Sequence, residues 1–126
     1  MPQPDIEIYV KGPTAEQIEV WLNTQFDGLT TRNNSPKRQV YEASWQQQTF
    51  EIMVLIKVQS GYTSIWFDHP HLPWQNDKAC ALAALQHLPP QDLSVRCIAS
   101  GWQEGDAPDQ WLQITANHQE HINWPS

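Results

Sequence analysis

The chain opens on an alternation. In "DIEIYV", Ile6, Ile8 and Val10 fall on one side of an extended segment and Glu7 and Tyr9 on the other, the pattern of a strand with one buried face. "KGP" ends it. Thr14 then occupies an N-cap position, Gln17 completes a capping box, and Ile18, Leu22 and Phe26 recur at helical spacing beside Trp21. The spacing predicts a helix closed by Gly28. Residues 30 to 38, "TTRNNSPKR", are turn formers and charges, which predict a loop.

"QVYEASW" reads as a strand and is followed by "QQQ". In "TFEIMVLIKV", Phe50, Ile52, Val54, Ile56 and Val58 line one side and Glu51, Met53, Leu55 and Lys57 the other, which predicts a strand near the middle of a sheet. Ser60-Gly61 supplies hairpin chemistry and "YTSIWF" returns. With a two-residue loop, Ile56 is expected opposite Ile65, Val54 opposite Phe67 and Leu55 opposite Trp66. Trp66 then shares the second face with Met53 and Leu55. The length of the loop at "QQQ" decides where Tyr41 and Trp45 go, because a slip of one residue moves every side chain across the sheet. A three-residue loop, pairing Trp45 with Thr49, sets both beside Met53 and Leu55; a four-residue loop buries both under the helices.

Asn76 or Asp77 can cap a second helix, "DKACALAALQHL", with Ala81, Leu85 and Leu88 at the centre of an apolar stripe flanked by Leu82 and Ala84. Pro89-Pro90 stops it. "LSVRCIAS" reads as a strand, "GWQEGDAPD" as a loop, and "QWLQIT" with "HINW" as a hairpin around "ANHQE". No repeat or linker divides the sequence, so residues 1–126 are expected to form a single domain. The order of elements predicts an α+β fold: a mainly antiparallel sheet with two helices packed on one face.

Composition narrows the partners. Hydrophobic residues are 40% of the chain and charged ones 17%, enough apolar material for a core of its own. Seven lysines and arginines stand against 14 aspartates and glutamates, a formal charge of −7. With no basic stripe to meet a phosphate backbone, no nucleic acid and no membrane is expected as a partner, whereas a basic protein or cationic ligand is attracted. Neither a signal peptide nor a run of about 20 apolar residues is visible, which points to a cytoplasmic location. Cys80 and Cys97 are expected to be free, buried thiols.

Two stretches gather chemistry. "WFDHPHLPW" brings Asp68, His69 and His71 between Trp66 and Trp74. A strand turning into a helix cap needs such prolines and short polar residues, and that reading competes with His69 and His71 as metal ligands completed by Asp68 or Cys80. Paired-ligand spacings such as CxxC are missing, so no metal and no cofactor is expected. "SGWQEGDAPDQW" places Glu104, Asp106 and Asp109 near Trp102. Carboxylates beside stacking aromatics suit glycoside chemistry, but loops also gather charge and glycine with no catalytic reason. GxGxxG, GxxxxGK[ST], GxSxG and HExxH are all absent.

The leading expectation is therefore a non-enzymatic domain that binds a protein partner, or forms a homodimer, through the face bearing Trp66, Leu55 and Met53 and the acidic loop at 101 to 109. The alternative is an enzyme or a carbohydrate or small-ligand binder with a cleft between Trp74 and Trp102, where Asp68, Glu104 or Asp106 supplies the ionisable groups.

Across "DHPHLPWQNDKACALAAL" and "VRCIASGWQEGDAPDQWLQI" the chain resembles a family of small bacterial proteins of unknown function. In these a proline-tryptophan loop leads into an alanine-rich helix, a Val-Arg-Cys strand and a Gly-Trp-x-Glu-Gly segment. The resemblance covers roughly the second half. It implies a bacterial, intracellular, single-domain protein and carries over no catalytic residue.

Overall fold

The computed structural model of the chain describes residues 5–98, 110–116 and 118–124. The elements run β1 (Ile6–Lys11), α1 (Ala15–Gln25), β2 (Gly28–Asn34), β3 (Arg38–Trp45), β4 (Gln48–Gln59), β5 (Tyr62–Phe67), α2 (Asp77–His87), β6 (Ser94–Ile98), β7 (Gln110–Thr115) and β8 (His118–Asn123). Among the described residues the strands form one antiparallel sheet in the order β2-β3-β4-β5-β1-β6-β7-β8. The fold is α+β, as its pattern predicts. No helix among these residues is long and apolar enough to cross a membrane.

Both helices lie on one face of the sheet. From α1, Ile18, Trp21 and Leu22 join a single core with Cys80, Ala81 and Ala84 of α2 and with the inward residues of the strands, among them Ile8, Ile52, Val54, Ile65 and Val95. The capping box forms as expected: Gln17 N–H donates to Thr14 Oγ1 at 3.2 Å and Thr14 N–H to Gln17 Oε1 at 2.9 Å. Asn76 is the N-cap of α2, accepting from Ala79 N–H at 2.8 Å. The buried stripe of α2 is turned toward Cys80, Ala81, Ala84 and Leu88, leaving Leu82 and Leu85 half-buried.

Three local expectations are corrected. Helix α1 stops at Gln25, and Gly28 opens β2 instead of closing the helix. Phe26 turns extended at the cap and enters the core, with its ring 5.2 Å from Phe50 and 5.9 Å from Trp74. Most of the stretch read as a loop is strand: Thr30–Asn34 belong to the edge strand β2, which pairs with β3 through a bulge between Thr31 and Asn33. An edge strand whose side chains are wet on both faces carries no alternation to betray it. His118, Gln119 and Glu120, expected in the final loop, pair with β7 as part of β8.

The turn between β3 and β4 consists of Gln46 and Gln47 alone, with φ of 51° and 67°, and sets Trp45 opposite Gln48. Two residues give the same parity as four. Tyr41 therefore faces Ile52 and is 1% exposed, while Trp45 meets Phe26 edge-on at 6.0 Å. Both aromatic rings lie on the helix-covered face.

The turn between β4 and β5 has the two expected residues, with Gln59 opposite Tyr62. Beyond it the register slips by two. Met53, not Leu55, faces Trp66, Leu55 faces Ser64, and Val54 faces Ile65. Residues 56 to 58 stand against Thr63 alone, a bulge in which Lys57 takes a φ of 47° and donates its N–H to Thr63 Oγ1 at 3.1 Å. A slip of two keeps each side chain on its expected face. Past the bulge, however, Val58 leaves the core and is 51% exposed.

Candidate functional site

Alternation along the strands builds the face opposite the helices. At one end of it lie Met53 and Leu55 of β4 and Trp66 of β5, all half-buried, with Val40 of β3 across from Met53. The Trp66 indole is held in place: its N–H donates to Asp5 Oδ2 at 2.7 Å, while Ser64 Oγ donates to Glu7 Oε2 at 2.7 Å beside it. Hydrogen bonds to ionised carboxylates are the stronger kind, so this ring has a fixed orientation.

The other end of the same face is covered from within. Trp124, just beyond β8, lies 5.1 Å from both Tyr9 and Trp111, ring centre to ring centre, and 5.4 Å from Tyr62. The Arg96 guanidinium sits 4.4 Å from the Tyr62 ring and 4.5 Å from that of Trp124, and its Nε donates to Gln113 Oε1 at 2.9 Å. A cation over electron-rich rings is attracted to them, and here it ties β5, β6 and β7 to the end of the chain. Trp124 is only 8% exposed.

The segment "WFDHPHLPW" is divided between packed and exposed side chains. Trp74 sits in the core, stacked on Trp21 at 5.8 Å and against Phe67 at 5.1 Å. His69 stacks on Phe50 at 4.8 Å, and His71 meets His69 edge-on at 5.9 Å. The two imidazoles are neighbours, yet among the described residues no group of three potential ligands that could hold a metal forms around them. Asp68 is exposed, and its backbone N–H donates to the Glu51 carbonyl at 3.1 Å. Trp102, Glu104, Asp106 and the rest of the acidic loop at 101 to 109 lie outside the described residues.

One ionisable residue has a role the sequence did not disclose. Asp77, read there only as a possible cap, is 5% exposed at the start of α2. Burial, and then the charges of Asp5 and Glu7, push its carboxyl up to about 7. Burial likewise raises both thiols, Cys97 to about 12 and Cys80 well above its ordinary value, with Asp77 as the next cause in each case. Thiols held protonated in this way are poor nucleophiles.

No protein family, curated protein or solved structure matches the chain.

Proposed function

We propose that the protein is a binding module without catalytic activity, whose contact surface is the end of the sheet bearing Met53, Leu55 and Trp66. The observation that carries this reading is the Met53–Trp66 cross-strand pair on the face that neither helix covers. A thioether and an indole side by side, half-buried and with the ring fixed by Asp5, form an apolar anchor of the kind found at the centre of protein interfaces. The formal charge of −7 favours a partner with a basic surface, and the acidic segment at 101 to 109 is the second element of the contact. A second copy of the chain is the homomeric version.

The cleft reading draws no support from the geometry, because Trp74 spends its ring on the core. Sedimentation equilibrium and capture of partners from a bacterial lysate, each run with wild type and with Trp66→Glu, test the proposal. A charge at the centre of the patch is expected to abolish either self-association or capture. A protein that stays monomeric at high concentration and captures the same set of proteins with and without Trp66 contradicts it.

A further inference from the structure

The bulge in β4 does more than interrupt a ladder. It opens a groove of about 680 Å³ at the end of the β3–β4 pair, within the range of about 300–1,000 Å³ usual for small-molecule sites. Leu55, Ile56 and Val58 supply an apolar floor, and Lys37, Arg38 and Lys57 stand around it. The wall is fixed by the Ile56 N–H donating to the Lys37 carbonyl at 2.9 Å and by the Lys57 N–H bond to Thr63.

Three features converge on this place. The chain has seven lysines and arginines, and three of them line this one groove in a protein of net charge −7. Among the described residues none of the three has a carboxylate within 4.0 Å, the sole ion pair there being His118–Glu120. Lastly, Lys57 holds a left-handed backbone, which costs a non-glycine residue about 1 kcal/mol or more, and such strain concentrates at binding sites. Bulges also re-aim side chains at strand ends, and this one turns Val58 outward at 51% exposure.

We infer that this groove is a binding site for a small amphipathic anion, an aliphatic or aromatic carboxylate whose apolar body lies on Leu55, Ile56 and Val58 and whose charge is met by Lys37, Arg38 and Lys57. The cations supply orientation and the floor supplies buried area, a division usual in small-molecule sites. The groove shares Leu55 with the contact surface proposed above but not the Met53–Trp66 pair that carries that reading, since neither of those residues lines it.

Dodecanoate, below its micelle-forming concentration at pH 8, is the probe, followed by calorimetry and by backbone amide shifts. The expected result is one site, with shifts concentrated at Lys37–Arg38 and Leu55–Val58. Arg38→Gln combined with Lys57→Asn, an exchange that tolerates the left-handed backbone, is expected to weaken binding about tenfold or more. Val58→Asp should do the same, and Lys78→Gln on α2 should leave it unchanged. Dodecyltrimethylammonium, with an equal tail and the opposite charge, should not compete. The amide shifts of the wild-type protein decide the matter even where a variant fails to fold. No binding, shifts located elsewhere, or equal competition by the cationic amphiphile would overturn the assignment.

Discussion

Gly12, between β1 and α1, lies so close to the backbone of Asp92, between α2 and β6, that a Cβ on it would stand 2.8 Å from the Asp92 carbonyl oxygen. The neighbour is backbone and has little freedom to retreat, and Gly12 itself holds a φ of +118°, which side-chain-bearing residues avoid. The loops that lead into α1 and out of α2 are locked together here. Gly12→Ala is expected to cost about 2–3 kcal/mol, read as a lowered urea midpoint with an unchanged slope. An unchanged midpoint would mean that the two loops separate freely.

The raised carboxyl of Asp77 makes stability depend on pH. The folded chain keeps this proton to about pH 7, while an unfolded aspartate releases it near pH 4. Between those values the folded state binds the extra proton. Its contribution therefore favours folding at low pH and is lost as pH rises through about 7. Asp77→Asn removes the effect, so the stability of the variant relative to wild type should increase by about 2–3 kcal/mol between pH 5 and pH 8. Urea titrations of both proteins at the two pH values measure it, and parallel curves would show that Asp77 is ionised throughout.

Cys80 and Cys97 are both fully buried, with thiols raised well above neutrality. Neither should react with an aromatic disulfide reagent at pH 8 within minutes in the native protein, and both should react promptly in urea. Fast labelling of the native chain would contradict the packing of α2 against β6.

Arg96 between Tyr62 and Trp124 holds the end of the chain on the sheet. Arg96→Ala should destabilise the fold by about 1–2 kcal/mol through lost stacking and lost packing of its stem. Arg96→Lys keeps the charge without the flat guanidinium, so it should recover only part of that loss. Full recovery by lysine would assign the effect to charge alone. Urea midpoints of the three proteins separate these outcomes.

The faces of the sheet were legible because period two survives a slip of two: Met53 meets Trp66 where Leu55 was expected, and as far as Leu55 each residue of β4 keeps its expected face. Loop length was not legible. Nothing local distinguishes a two-residue turn at Gln46-Gln47 from longer ones, and the parity of that turn alone sends Tyr41 and Trp45 under the helices. Edge strand β2 stayed hidden because Thr30 to Asn34 are exposed on both sides and show no alternation. Phe26 has helical spacing from Ile18 and Leu22, but rings distant in sequence, Phe50 and Trp74, draw it out of the helix. Distance in sequence also explains what was missed at the candidate surface. Asp77 is perturbed by Asp5 and Glu7, and Tyr9 is in contact with Trp124, neighbours that are far apart in sequence and meet only in the folded chain.

The central claim is that the sheet turns Trp66 away from both helices while Trp74 and Trp21 are enclosed beneath them. A soluble paramagnetic gadolinium chelate, added while the indole resonances are followed by NMR, tests it directly. The Trp66 ring is expected to broaden with added probe, and those of Trp21 and Trp74 to stay sharp. A protected Trp66 together with a broadened Trp74 would contradict both the architecture and the contact surface built on it.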